Sequence, residues 1–240
     1  MKMKKLSTLC IAASTLLATS SVMAWESEDG QHSTSASVAM TSDYVWRGYS
    51  NSNDLPAIQG SFDYGHASGF YAGTWGSNVD FGDATVEIDI YAGYANEIGD
   101  TGISYDVSAL RYIYPGAGES SWNEYTLAFG YSYFSASAAF TSDIYGSDEK
   151  ATYYSVGFDY DLPMGIALSA GYGLYDFDDA DATFSEGAPN SSTDYRIGLS
   201  TELVGFGWDL TYTDSDSDGE ELNGHDLADN RLIFTVSKSL

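Results

Sequence analysis

The stretch that decides the fold is Thr85-Val-Glu-Ile-Asp-Ile-Tyr-Ala-Gly-Tyr94. Val86, Ile88, Ile90, Ala92 and Tyr94 alternate with Thr85, Glu87, Asp89, Tyr91 and Gly93. Side chains of a strand alternate between two faces, so one face here is oily and the other carries two carboxylates. A helix, with its period of 3.6, would mix the two sets on every face. A strand of this kind suits a wall with lipid on one side and water on the other.

The alternation recurs along the chain from Ser35. Strands are expected near 35–47, 56–65, 69–78, 84–95, 102–112, 122–132, 134–142, 151–161, 165–175, 193–202, 205–214 and 229–239. Crossing a bilayer at a tilt takes about 9–11 residues, which each stretch supplies. The connections alternate in length. Short ones fall at 66–68, 96–101, 132–133, 162–164 and 204, and long ones at 48–55, 79–83, 115–121, 143–150, 176–192 and 215–228. Outer-membrane barrels sort their loops this way, with tight periplasmic turns and longer external loops; a soluble sandwich has no reason to. The expected fold is all-β: a transmembrane, up-and-down antiparallel β-barrel of about 12 strands.

Residues 1–24 read as a cleaved signal peptide: Lys2, Lys4 and Lys5, an apolar run from Leu9 to Ala18, then Val22-Met23-Ala24. Residues 25–240 form the single barrel domain. The one cysteine, Cys10, lies in the leader, so the exported chain needs no disulfide. All 35 acidic residues follow Ala24, against six cations: Arg47, Arg111, Lys150, Arg196, Arg231 and Lys238. A field so negative repels nucleic acid and attracts cations. The 20 tyrosines, 11 phenylalanines and five tryptophans argue against disorder. The expected location is the bacterial outer membrane, among lipid and lipopolysaccharide, with the oligomeric state open.

The aromatics sort into two belts on the oily face, as bilayer interfaces favour. Tyr44, Trp46, Tyr125, Phe140, Tyr154, Tyr172, Tyr195 and Tyr212 are placed near the external ends. Tyr64, Tyr71, Tyr94, Tyr105, Tyr131, Phe134, Tyr160 and Phe206 are placed near the periplasmic ends. The polar face carries the candidate pore-lining residues Asp43, Arg47, Asp63, Glu87, Asp89, Asp106, Glu124, Asp159, Arg196, Asp209 and Arg231. Acids dominate it, so a lumen lined by it favours cations. Two readings stay open: a cation-preferring channel, or a barrel plugged by Arg–carboxylate pairs. Asp43 and Arg47, four residues apart near the rim, belong either to a constriction with Asp63 and Glu87 or to an ion pair that closes the barrel beside Arg231.

No enzyme is expected. His32, His66 and His225 fall outside the strand walls, and phosphate loop, zinc spacing and nucleophile elbow are all missing. No cofactor is expected beyond calcium or magnesium at the external loops. Asp214, Asp216, Asp218 and Glu220 match the first half of a D-x-D-x-D-G calcium loop, and the match fails where His225 replaces the bidentate Glu. The alternative is a solvated acidic loop that shares divalent ions with lipopolysaccharide phosphates.

The motifs Thr41-Ser-Asp-Tyr-Val-Trp-Arg-Gly-Tyr-Ser50, Gln59-Gly-Ser-Phe-Asp-Tyr64, Gly69-Phe-Tyr-Ala-Gly-Thr-Trp-Gly-Ser-Asn78, Glu87-Ile-Asp-Ile-Tyr-Ala-Gly-Tyr94 and Tyr112-Ile-Tyr-Pro-Gly116 resemble the TorF family of porin-like proteobacterial proteins. The resemblance is close over 41–133 and implies an outer-membrane barrel with a channel role. It supplies no catalytic residue and no solute. Together these readings lead to an expected porin-like channel that passes small hydrophilic solutes by diffusion, with a cation preference. The alternative is a non-conducting barrel whose acidic external loops bind divalent cations or a surface partner.

Overall fold

The computed structural model describes residues 25–118 and 120–240. The expected signal peptide lies outside the described residues. Twelve long strands run in chain order: β1 (His32–Thr41), β2 (Ala57–His66), β3 (Phe70–Phe81), β4 (Ala84–Glu97), β5 (Ile103–Ile113), β6 (Trp122–Tyr131), β7 (Phe134–Thr141), β8 (Ala151–Leu162), β9 (Ile166–Phe177), β10 (Ser191–Leu203), β11 (Phe206–Ser215) and β12 (Arg231–Ser239). Each pairs antiparallel with its neighbours in sequence. The sheet closes where β12 meets β1, with Thr235 opposite Thr41 and Ser239 opposite Ser37. Closure removes every free edge over that length, which is what permits a sheet to stand in lipid. A two-residue strand, Trp25–Glu26, pairs with the start of β1 beyond the β12 register.

The side-chain alternation sets the two faces. Along β6, Trp122, Glu124, Thr126, Ala128 and Gly130 are buried, while Asn123, Tyr125, Leu127, Phe129 and Tyr131 are exposed. Ile58, Phe62, Ile90, Val107, Val156, Ile197 and Leu232 are exposed on the outer wall, each by half or more. An apolar exterior this continuous has no place in water and matches hydrocarbon. Glycines on the inner wall leave room for rings from the neighbouring strand. Gly93 sits opposite Tyr71, and a Cβ there would lie 2.4 Å from the Tyr71 hydroxyl.

Two expectations about the elements change. The long loop expected at 79–83 is a tight turn at Gly82-Asp83, because β3 and β4 extend past a bulge between Asn78 and Phe81. The first strand ends at Thr41 rather than near 47. Its alternation therefore says nothing about residues 42–56, which leave the wall.

Candidate functional site: the inward-folded first loop

Residues 42–56 turn into the barrel as a miniature hairpin. Val45–Trp46 pairs with Tyr49–Ser50, and Arg47-Gly48 forms the two-residue tip. Both tip residues have positive φ, +48° and +89°, the backbone that mirror-image hairpin turns require. Gly48 is also required by space, since a Cβ there would lie 2.2 Å from Ser215 Oγ. The base of the loop is tied by its own polar groups. Ser50 and Ser52 hydroxyls donate to Asp43 at 2.5 and 2.9 Å, and the Tyr44 N–H donates to Ser52 Oγ at 2.9 Å.

The loop reaches strands on several sides of the tube. The Arg231 guanidinium on β12 bonds Asp43 at 2.8 Å and also bonds Asp54. Ser215 at the end of β11 donates to the Gly48 carbonyl at 2.9 Å. The Tyr44 hydroxyl donates to Glu87 on β4 at 2.8 Å, and its ring lies 5.3 Å from that of Trp75 on β3. Trp46 packs edge-on against Tyr112 of β5, Trp122 of β6 and Tyr175 of β9, at 6.0, 6.2 and 5.9 Å. A segment that touches opposite walls must cross the lumen between them.

Arg47 is the centre of this crossing. Its side chain is 3% exposed and forms an ion pair with Glu124, itself 1% exposed, at 2.6 Å. The guanidinium lies 4.2 Å from the ring centres of Trp46 and Tyr153 and 4.8 Å from that of Tyr175. Such contacts with a desolvated cation are worth about 2 kcal/mol at best. Loop residues complete the packing: Tyr49 and Tyr145 share a 2.7 Å hydroxyl bond, and Ile144 is fully buried. Burial raises both phenols well above their ordinary range, so they stay neutral near pH 7.

The inner wall changes character along its length. Toward the long loops it is sealed: Trp122 and Glu87 are 0% exposed. Toward the short turns burial is mixed: Asp159 and Arg196 are exposed although both face inward, while Asp106 is 1% exposed. Tyrosines satisfy most of the lumenal acids between these zones. Tyr71 donates to Asp106 at 2.7 Å, Tyr153 to Asp194 at 2.9 Å, and Tyr91 to Asp63. Asp209 takes the Thr211 hydroxyl at 2.8 Å. Asp89 is 4% exposed, and its Oδ1 has no hydrogen-bond partner among the described residues.

Of the predicted lumenal residues, the strand members lie on the inner wall, while Asp43 and Arg47 sit in the inward loop, and the pairing differs from the expected one. Asp43 and Arg47 do not bond each other; Asp43 binds Arg231 and Arg47 binds Glu124. Tyr44 and Trp46 are not external girdle residues: they are 2% and 3% exposed inside the barrel, because the chain has left the wall. Tyr71 is likewise lumenal, since Phe70, 62% exposed, takes the outer face in the β3 register. Sequence reading missed the tyrosine partners of the acids. Gly73 opposite Tyr91 and Gly93 opposite Tyr71 are the signal that marks them, because a ring lying along the wall needs a bare neighbour.

The acidic loop after β11 does not gather its first carboxylates. Asp214 faces outward and accepts from Tyr195 at 2.6 Å. Asp216 caps the helix Ser217–Asn223, accepting the Gly219 N–H at 2.9 Å, and also binds the Thr193 hydroxyl at 2.7 Å. Asp218 lies in the first turn of that helix. The ligand atoms that do converge, within 4.8 Å of one another, belong to Glu220, His225 and Asp229. A bond to its own backbone, then the Glu220 carboxylate, raise the pKa of exposed His225. His32 and His66 are strand-end residues facing each other across β1 and β2, with rings 5.1 Å apart.

A closed twelve-stranded barrel with an oily exterior and an acidic, tyrosine-lined interior defines the class: an up-and-down antiparallel β-barrel of the outer-membrane kind. Residues 26–240 match the profile of a family described as bacterial protein of unknown function (Gcw_chp), and the chain belongs to that family. That description does not carry the TorF name. No curated protein matches the chain. Among solved structures it is similar to the NanC porin, at 12% identity and a TM-score of 0.56, covering 84% of this chain and 97% of that one. It is also similar to the KdgM porin, at 8% identity and 0.51, covering 86% and 97%. The KdgM porin in complex with disordered oligogalacturonate matches at 9% and 0.50, covering 86% and 99%. At these identities the likeness concerns the fold.

Proposed function

We propose that this chain is an outer-membrane channel of the porin type for small hydrophilic solutes, cation-preferring, and that the conformation described is its closed state. The observation that carries the reading is the contrast along one lumen. Toward the short turns inward-facing Asp159 and Arg196 stay exposed, whereas the fifteen-residue loop, 42–56, and its partners seal the half toward the long loops. A structural plug would gain most from apolar side chains. This one puts a guanidinium and several carboxylates into the seal, where each is costly to bury. The surplus of carboxylates favours cations in the tube. The resemblance of residues 41–133 to TorF porin-like proteins agrees with a channel, and the motif 41–50 that opens that resemblance is the inward hairpin itself.

The second reading is a permanently closed barrel whose external loops do the binding. The breadth of contact made by the hairpin favours it. Planar-bilayer recording on full-length protein, with folding verified by heat-modifiable gel mobility, separates the two. Wild type is expected to open rarely, and a variant lacking 45–50 to conduct steadily, with a reversal potential on the cation side of a salt gradient. A folded deletion variant that passes no current overturns the channel. A chloride-side reversal overturns the cation preference alone.

A further inference from the structure

We infer that the barrel wall carries a binding site for an organic cation of the guanidinium class, and that Arg47 occupies it as a tethered stand-in. The inference rests on the channel reading for its consequence, the identity of the permeant solute class, while the site itself is argued from the wall.

Three wall residues make the site: Glu124 on β6, Tyr153 on β8 and Tyr175 on β9. A carboxylate at 2.6 Å and two ring faces at 4.2 and 4.8 Å surround the guanidinium carbon and one of its nitrogens. Carboxylate forks match planar guanidinium groups, and aromatic faces take desolvated cations. Arg47 and Trp46 come from the loop; when the loop leaves, they leave with it and the three wall groups remain.

Arg47 fills this site without satisfying it. Its Nη2 bonds Glu124, but its Nε and Nη1 are buried with no hydrogen-bond partner among the described residues. The buried Tyr175 hydroxyl beside the guanidinium makes no well-aligned hydrogen bond. An arginine fixed at a hairpin tip, with its backbone at φ +48°, has little freedom to turn its fork toward that hydroxyl. A free guanidinium has that freedom. Charge points the same way. Glu124 is buried on the inner wall with Arg47 as its ion-pair partner, so an undocked hairpin leaves a carboxylate that a cation can balance. An ammonium suits the site less, being more strongly hydrated and lacking the planar fork. Asp159 and Arg196, exposed on the inner wall toward the short turns, mark the side from which a solute would approach. Solute and hairpin therefore compete, and a guanidinium solute that wins displaces the seal.

The test uses the full barrel in detergent and ethylguanidinium chloride as the probe, with ethylammonium and neutral ethylurea as controls, by titration calorimetry at fixed ionic strength. A hairpin docked nine-tenths of the time weakens an apparent affinity about tenfold. R47A is therefore expected to bind ethylguanidinium at least tenfold more tightly than wild type and more tightly than ethylammonium, with no heat from ethylurea. Adding E124Q should abolish the binding. Folded R47A that gives no heat, or the same heat with E124Q, overturns the site. If R47A does not fold, R47Q replaces it. If neither folds alone, refolding yield with ethylguanidinium decides, since rescue supports the site and no rescue overturns it. Binding to R47A with no current from any variant keeps the site and removes the channel. Current without binding keeps the channel and removes the site.

Discussion

Removing the Glu124 carboxylate should unlatch the first loop. The Arg47 and Glu124 side chains are 3% and 1% exposed and 2.6 Å apart, so neither charge has water to fall back on. Truncating one partner of a buried ion pair costs about 3–5 kcal/mol, because the other charge stays buried and unpaired. In Glu124→Ala that cost falls on the docked hairpin alone; an undocked Arg47 is solvated. At 1.4 kcal/mol per factor of ten, the undocked-to-docked ratio should rise by at least about a hundredfold. The ring contacts to Tyr153 and Tyr175 persist in the mutant and do not offset this loss. The assay is open probability in single-channel recordings at fixed voltage. The control is the double variant Arg47→Leu with Glu124→Leu, which buries no charge and should return toward wild-type closure. An open probability in folded E124A within twofold of wild type would refute the latch. So would a double variant as open as E124A.

Further expectations follow from the wall itself. Gly93→Ala should lower the thermal midpoint of barrel unfolding on heat-modifiable gels, by about 1–3 kcal/mol of stability, because the new Cβ meets the Tyr71 ring and pushes its hydroxyl off Asp106; an unchanged midpoint would mean the ring can move freely. Ile90→Arg puts a charge on a side chain that is 55% exposed on the outer wall and should cost about 2–4 kcal/mol in lipid, read from urea midpoints in vesicles. The same cost missing in vesicles would place Ile90 away from hydrocarbon. Glu87→Gln combined with Asp89→Asn, in the conducting variant lacking 45–50, should reduce the cation-to-anion permeability ratio; an unchanged ratio moves the filter elsewhere.

The strands were legible because their cause is local. A period of two in apolar residues, with turn residues at regular intervals, is enough to specify a two-faced wall; β4 from Glu87 to Gly93 and β6 along its length keep the expected inward and outward sets. Tyr44 and Trp46 show where this logic stops. They continue the parity of β1 and carry the residue types of an interfacial belt, yet they lie inside the barrel. Nothing between Thr41 and Trp46 marks the departure as strongly as the aromatics mimic a girdle. Arg47-Gly48 is the better clue, since two positive-φ residues in a row make a hairpin tip and not a strand.

Sequence alone determined the tube: alternation, loop sorting and acid excess all follow from neighbours in the chain. Which acid meets which cation is a different matter. Glu124 finds Arg47 across 77 residues and Asp43 finds Arg231 across 188, and only closure of the sheet brings those positions together. The seal was likewise decided in three dimensions. Trp46 and Arg47 could be buried only once a ring of walls existed to enclose them, with a carboxylate and two tyrosine faces already standing where the guanidinium comes to rest.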